Sequence, residues 1–333
     1  MKRVSRMMKV GALALWAGVA AGAGWAKCAG NDLRGTLTVA ERAELNALVA
    51  GTPYPQGNHW IATRGTRQLH IVGTMHLDDP RMADPLARLR PLVEAADHLL
   101  LEMTPSEEAE LQQALVDRPG MLFLTGETLI DMLDKATWDR LVEAAVARGI
   151  PGFMAAKFQP WYLMTMLSIP PCAMALLVEG QGGLDKSLAA VAEAARVPMS
   201  ALEPFDTGFK VFNREPIEAQ IEMLVGGLMD DNVAADLFAT LTGSYFDEDI
   251  AESWHGSRIL SRRFAPDVAA SDAMFDKMQA TLLDPRNLAW IPVIEGVAGD
   301  LVMVAVGAAH LPGELGVLNL LVAEGYVLER VPF

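Results

Sequence analysis

Basic residues are scarce in this 333-residue sequence: 27 lysines and arginines stand against 42 aspartates and glutamates, a formal charge of -15. A basic face supplies most of the affinity for nucleic acid, so the imbalance argues against that partner, and against an anionic membrane surface too. Cysteine is rarer still. Two thiols, Cys28 and Cys172, cannot build a disulfide-rich scaffold or a four-thiolate metal centre. Several signatures are missing outright: the sequence has no HExxH, no GxGxxG, no P-loop and no GxSxG. A standard zincin, dinucleotide enzyme, ATPase or serine hydrolase is thereby set aside. Low-complexity linkers are lacking as well, and no composition shift marks a domain boundary. Apolar residues are plentiful. At 51% hydrophobic and 21% charged, the chain is a globular protein with a sizeable core.

The acids are absent from the first 26 residues, which carry Lys2, Arg3, Arg6 and Lys9. A 17-residue apolar run extends from Val10 to Ala26, ending in the small-residue exit Gly24-Trp25-Ala26. This order reads as a secretory signal over residues 1–26. Its removal leaves 23 basic against 42 acidic residues, a charge of -19 on residues 27–333. The expected location is periplasmic or extracellular. The alternative is an uncleaved N-terminal membrane anchor, which the run is short and Gly-rich for. No later stretch is long enough to span; the nearest, Trp161–Val178, is interrupted by Pro170 and Pro171. In an oxidising compartment Cys28 and Cys172 are a possible disulfide, closing a loop of about 144 residues, worth up to about 5 kcal/mol. Two free buried thiols are the other reading.

Hydropathy patterning predicts strands at the two ends of the chain and helices between. His59–Thr63 and Gln68–Val72 read as a hairpin, and His98–Glu102 as a short buried strand. Helices are expected over Val39–Val49, Asp84–Ala96, Thr128–Arg148 and Leu184–Ala195, with a helical insertion over about 105–180. Further helical stretches cover Asn213–Thr242 and Asp267–Leu283. Strand Leu301–Val306, helix Gly313–Glu324 and strand Tyr326–Val331 close the chain. The expectation is an α/β fold in one domain, residues 27–333, with a mixed sheet built from both chain ends and flanked by helices.

Two Gly-x-x-His sequences carry the chemistry. Gly73-Thr74-Met75-His76 succeeds the first strong strand, and Gly307-Ala308-Ala309-His310 succeeds the strand Leu301–Val306. A glycine at a strand exit permits a tight turn, and three residues later a histidine can overhang the carboxyl end of the sheet, where α/β folds collect ligands. Glu102 ends the apolar run Leu99-Leu100-Leu101, so its carboxylate should emerge at the same mouth. Two histidines and a glutamate suit a divalent ion with open positions for water and substrate. The plainer readings are capping or core histidines, and a glutamate that caps a helix or pairs with an arginine. His70 and His98 lie in strands and His255 in a turn, where structural roles are the default. The Met-rich stretch from Phe153 to Met166 reads as core, or as the wall of a substrate or haem pocket.

The pair of Gly-x-x-His sequences with Glu102 between them resembles the TraB/GumN group, which includes the Wnt-cleaving TIKI proteases. In that group an arginine joins the pattern, and Arg286 in Asp284-Pro285-Arg286-Asn287 is the best match. The stretch Val304–Val331 matches the group's C-terminal strand, Gly-x-x-His-Leu-x-Gly turn, helix and Gly-Tyr strand. Gly182-Gly183-Leu184-Asp185, Ala201-Leu202-Glu203 and Pro160-Trp161 match central elements, although Lys157 stands two residues too early for the Lys-Pro-Trp form. The resemblance implies a fold like the erythromycin-esterase and haem-binding ChaN proteins, and an exported metal-dependent hydrolase, most of all a peptidase. His76, Glu102 and His310 would hold Mn, Co or Zn, or one of them would act as general base. Arg286 would stabilise an oxyanion or fix a substrate carboxylate, unless it is a helix-start arginine paired with Asp284. Asp185 is expected as a helix N-cap after Gly183 or a second-layer site residue, and Glu203 as a second strand-end carboxylate. Haem or metal binding without turnover, and a non-catalytic interaction module, are the alternative functions. The substrate on the enzymatic reading is a peptide or small molecule.

Overall fold

The computed structural model describes residues 28, 30–174, 182–265 and 267–333. The leader over 1–26 lies outside them. A six-stranded mixed sheet has the order β4-β3-β5-β2-β1-β6. The strands are β1 (His59–Arg64), β2 (Arg67–Thr74), β3 (His98–Leu101), β4 (Met199–Ala201), β5 (Leu301–Gly307) and β6 (Val327–Arg330). Only β1 runs against the others: it pairs antiparallel with β2 and β6, while β2, β5, β3 and β4 pair in parallel. β1 and β2 form the expected hairpin, with Arg64 opposite Arg67 and a left-handed Gly65 at the turn.

The central strand shows why the sheet is covered on both faces. In β5 the run Val302–Val306 is buried without a polar interruption, the pattern of a parallel strand sandwiched between layers. Val302, Val304 and Val306 face a core with Trp290 and Leu321, whereas Met303 and Ala305 face one with Leu89, Val93 and Leu188. Helices α1 (Val39–Ala50) and α2 (Ala83–Ala95) precede β3. The connection from β3 to β4 carries α3 (Pro105–Asp117), α4 (Leu129–Met132), α5 (Lys135–Ala147), α6 (Gly152–Ala155), α7 (Pro160–Leu167) and α8 (Leu184–Ala195). Much of that insertion packs on itself and on a later helix, around Leu141, Phe158, Leu163 and Leu224. Met154, Phe158, Tyr162 and Met164 of the Met-rich stretch join this third core, whereas Phe153 is exposed. From β4 to β5 run α9 (Thr207–Asn213), α10 (Ile217–Gly226), α11 (Asp231–Phe246), α12 (Ile250–Ser261), α13 (Val268–Met278) and α14 (Asp284–Gly296), and α15 (Val317–Ala323) leads into β6.

Several expected boundaries shift for local reasons. The single helix expected over Thr128–Arg148 breaks at Leu133 and restarts at Asp134, whose side chain accepts from the Thr137 amide as an N-cap. The run Asn213–Thr242 is three helices, divided at Pro216 and again before Asp231. The last helix starts at Val317 rather than Gly313, because Gly313 is left-handed and Gly316 caps the helix. His255 lies within α12, not in a turn. The two thiols are bonded: Cys28 and Cys172 have Cα atoms 5.3 Å apart, which ties the start of the described chain to the helical insertion. Among the described residues no helix is long and apolar enough to cross a membrane.

Candidate active site

Four adjacent strands in the order β4-β3-β5-β2 end at one edge, and a candidate residue lies just beyond each. Glu203 stands two residues past β4, Glu102 directly past β3, His310 three past β5 and His76 two past β2. Parallel pairing aligns these ends: Leu101 lies opposite both Ala201 and Ala305, and Thr74 opposite Gly307. Arg286 arrives from a different direction, in the first turn of α14, behind a π-helical turn over Gln279–Leu283. π-Turns recur at functional sites because the extra residue rotates the next helical turn out of its regular phase.

The two motif glycines act through the Cβ they lack, since neither has a positive φ. A Cβ on Gly73 would meet Leu311 Cδ1 at 2.9 Å and Ala308 at 3.1 Å, so Gly73 lets the second Gly-x-x-His turn dock on the first. A Cβ on Gly307 would sit 3.2 Å from Glu102 Oε1, 3.6 Å from His310 Cδ2 and 3.7 Å from His76 Nε2. All three side chains therefore converge around the open face of Gly307. A third glycine matters equally. Gly183 lies so close that a Cβ there would overlap the Met75 carbonyl and the His76 backbone, and the Leu184 amide donates to Met75 O at 3.1 Å. This contact brings Asp185 to His76. Asp185 is not the N-cap of α8, which is Gly183; it is in the first turn, with Oδ1 3.3 Å from His76 Nδ1.

Arg286 is the centre of the polar network. Its Nε and Nη2 donate to both oxygens of Glu203 at 2.6–3.1 Å, and Nη2 also donates to Glu102 Oε2 at 2.6 Å. Nη1 reaches Leu282 O and His310 Nε2 at 3.3 and 3.2 Å, the weakest of its bonds. Arg286 thus pairs with strand-end carboxylates and not with Asp284, and its guanidinium also lies 4.9 Å from the centre of the Trp290 ring. Trp290 donates to Glu203 Oε2 at 3.0 Å and packs 4.4 Å from the His310 ring. Glu102 completes its own shell by accepting the Gly307 amide at 2.7 Å.

The two histidines are driven to opposite charge states. His310 is buried, and desolvation pulls its pKa down to about 4 against the raising effect of Glu102. It is neutral at pH 7. Asn287 Oδ1 accepts from its Nδ1 at 2.6 Å, since the Asn287 amide nitrogen is committed to Leu315 O, so Nε2 carries the lone pair. His76 is 62% exposed to the cleft above the sheet. Desolvation pulls its pKa down, but Asp185, and then Glu102, outweigh that and lift it to about 9. It is a cation at pH 7. For Glu102, burial opposes ionisation, but His310, His76, Arg286 and the Gly307 amide together hold it down at about 2.

This set does not fit a divalent ion. Among the described residues no three His, Cys, Asp or Glu side chains form a ligand cluster. The reason is visible in the donors: Glu102 Oε1 accepts an amide, Glu102 Oε2 and His310 Nε2 accept from the guanidinium, and His310 Nδ1 is held by Asn287. The Arg286 fork thus already occupies Glu102 Oε2 and His310 Nε2, two of the atoms an ion would need.

The remaining histidines hold the fold. His59 Nε2 and His70 Nδ1 lie 3.0 Å apart inside the sheet, His98 bonds Ser200 Oγ, and His255 bonds Thr52 Oγ1. Asn287, Trp290 and Tyr245 are site residues that no motif announces. Asn287 is the residue after Arg286 and Trp290 stands one turn later, so helix periodicity is the available signal. Tyr245, whose hydroxyl donates to Gly73 O at 3.0 Å, comes from α11, far away in sequence.

A sheet whose carboxyl edge gathers two histidine turns, two glutamates and an arginine belongs with α/β proteins that place polar chemistry at strand ends. Comparison with known proteins supplies the family. The chain belongs to the TraB/PrgY/gumN family, whose profile matches residues 58–330. It is similar to the uncharacterized protein YbaP of Escherichia coli (strain K12), with 26% identity over 275 residues, 78% of this chain and 92% of the relative. The uncharacterized protein YbaP of Shigella flexneri matches with the same identity and coverage.

Proposed function

We propose that this protein is an exported hydrolase of peptide or related acyl bonds, worked by the histidine–glutamate–arginine centre. The observation that carries the reading is a pair of histidines at one cavity in opposite surroundings, His76 beside the Asp185 carboxylate and His310 buried against Asn287. Neighbouring titratable groups pushed apart in pKa are the mark of an acid and a base. In this mechanism the 3.2 Å contact of Arg286 Nη1 with His310 Nε2 opens, His310 Nε2 takes a proton from water, and the water oxygen bonds to the carbonyl carbon. The Nη1 edge of Arg286 stabilises the oxyanion. The carbon–nitrogen bond then breaks as His76 Nε2 gives its proton to the leaving amine, and Asp185 holds the imidazolium in place. Glu102 and Glu203 fix the fork of Arg286, and Asn287 fixes the tautomer of His310.

The test is turnover of a diverse peptide library by the protein freed of its leader, read by mass spectrometry. Wild-type cleavage that disappears in both His310→Ala and His76→Ala supports the assignment; cleavage that survives both sinks it. A chelator arm checks the metal. Activity indifferent to EDTA agrees with the filled arginine centre, whereas loss on chelation with recovery by Mn, Co or Zn restores the metal-dependent reading.

A further inference from the structure

Two cavities meet at the charged centre. One, of about 420 Å³, is walled by Leu241, Tyr245, Ile250, Trp254, Phe275 and Met278 from α11, α12 and α13. The other, of about 380 Å³, is walled by Phe205, Phe209 and Phe212 beside Leu282 and Leu283. Glu102, Arg286, Trp254 and Met278 line both, so the cleft has two lobes with the polar network at its waist.

Phe209 and Phe212 lie three residues apart in α9 and Phe205 in the turn just before it, and all three line the second lobe. Trp161 backs two of them: it stacks on Phe212 with ring centres 5.0 Å apart, meets Phe209 edge-on, and its indole N–H bonds Asn213. The Pro160-Trp161 element therefore supports the wall of the lobe without lining it. Charge is confined to the waist. Among the described residues, no ionisable acid, lysine, arginine or histidine lines either lobe apart from His76, Glu102, Glu203, Arg286 and His310. Thr74, Ser253 and Ser257 also line the first lobe, and Thr74 Oγ1 is buried with no hydrogen-bond partner among the described residues.

From this we infer that the substrate is an internal peptide segment with large apolar side chains on both sides of the scissile bond. The inference rests on the hydrolase reading above and narrows it. A free α-amino or α-carboxylate group placed in either lobe would be desolvated without a partner, which disfavours exopeptidase action. A peptide backbone has amide groups that need partners in an apolar cleft, and Ser253 and Ser257 line the first lobe with side chains able to supply them; an acyl chain has no such need. Water is added across an amide between two apolar residues, leaving a new carboxylate and a new amine at the polar waist.

Gly208 provides a clean test. It lines the second lobe, and a Cβ there would have no heavy atom within 4 Å, so Gly208→Phe starts from open space and extends its ring toward the lobe. The substrates are acetylated, amidated decapeptides with a central phenylalanine–leucine pair, matched to peptides with lysine or aspartate at either central position. Wild type is expected to cut the apolar peptides internally, with kcat/KM at least tenfold above every charged version. Gly208→Phe, with an unchanged Tm, is expected to lose at least tenfold on phenylalanine relative to alanine at one of the two positions. Cleavage confined to free termini, equal cleavage of charged peptides, or hydrolysis of long-chain acyl esters in place of peptides overturns the inference while leaving hydrolysis standing. If wild type cuts nothing, fluorescence polarisation with fluorescein-labelled forms of the same peptides separates the two claims. Apolar-selective binding weakened by Gly208→Phe upholds the cleft and ends the hydrolase reading; unselective binding ends both.

Discussion

Replacing Arg286 by methionine probes the centre most directly. The side chain keeps the length and apolar stem of arginine but removes the one cation that, among the described residues, is bonded to both Glu102 and Glu203. Side-chain exposures are 17% for Arg286, 16% for Glu102 and 13% for Glu203, so solvent cannot replace the lost partner. Breaking a buried ion pair from one side costs about 3–5 kcal/mol, because the remaining charges stay desolvated. At about 2 °C per kcal/mol for a chain of this size, Tm at pH 7 should fall by roughly 6–10 °C. The sign of the pH dependence comes from Glu102. In wild type its folded pKa of about 2 lies below the unfolded value, so its contribution is present above pH 4 and fades as pH falls through 2. In Arg286→Met the same carboxyl loses one of the groups that hold it down, so its pKa rises toward the unfolded value and its protonation costs the native form less as pH falls. The gap between variant and wild type should therefore be widest at pH 7 and close toward pH 4. The triple variant Arg286→Met, Glu102→Gln, Glu203→Gln should regain most of the lost Tm at pH 7 and no activity. Differential scanning calorimetry from pH 7 to 4 decides. A single variant within 2 °C of wild type at pH 7, or a gap that does not change with pH, refutes the argument.

Other expectations concern the two histidines and the disulfide. The profile of kcat/KM against pH should be a bell, rising through about 4 as His310 loses its proton and falling through about 9 as His76 loses its own. Asp185→Asn removes the main group that raises His76, so the alkaline limb should move to lower pH while the acid limb stays; a fixed alkaline limb would dissociate Asp185 from catalysis. Asn287→Asp places a carboxylate 2.6 Å from His310 Nδ1, favours the imidazolium, and should move the acid limb to higher pH, measured over pH 4–7. Non-reducing alkylation and mass spectrometry should find no free thiol, and Cys28→Ser with Cys172→Ser should lower unfolding free energy by up to about 5 kcal/mol, as expected for a link spanning 144 residues. Denaturant titration measures that loss.

The strands of the centre are readable because their residues speak locally. An unbroken apolar run such as Leu301–Val306 marks a strand covered on both faces, and the residues just past such runs, His76, Glu102 and His310, mark the carboxyl edge without knowledge of strand order. The features that the sequence does not disclose depend on approach between distant segments. Arg286 stands out only through the family resemblance, and its partners are hidden: Asp284 is two residues away, whereas Glu203 and Glu102 are 83 and 184 residues away. The motif glycines are visible, but their cause is not. Turn freedom is the expectation and the close packing of two turns is the finding, which single-residue conformational preference does not encode. Helix α12 is masked because Trp254-His255-Gly256-Ser257 contains turn-forming residues. Packing against α1, α11 and α13 overrides that weak local preference, and it sets Trp254 at the waist of the cleft.

The arrangement also gives the acidity of the chain one specific use. Three carboxylates, Glu102, Glu203 and Asp185, face two cations, Arg286 and His76. Had the pairing been one to one, Arg286 would be free to swing toward substrate and His76 would titrate near neutrality. The additional carboxylate changes both outcomes. Glu203 and Glu102 grip the guanidinium from two sides, which leaves only its Nη1 edge for chemistry, and Asp185 is left to hold His76 as a cation. His310 lies on the other side of Arg286, where burial and the guanidinium both disfavour protonation. Arg286 pushes both imidazoles toward neutrality, and it is Asp185 that outweighs it at His76 and so keeps the two charge states apart. Arg286→Met should accordingly raise the pKa of His310, as well as removing oxyanion stabilisation. ¹H–¹⁵N spectra of the two imidazoles across pH 3–10 read this directly, and a His310 titration unmoved by the loss of Arg286 would place the cause in burial alone.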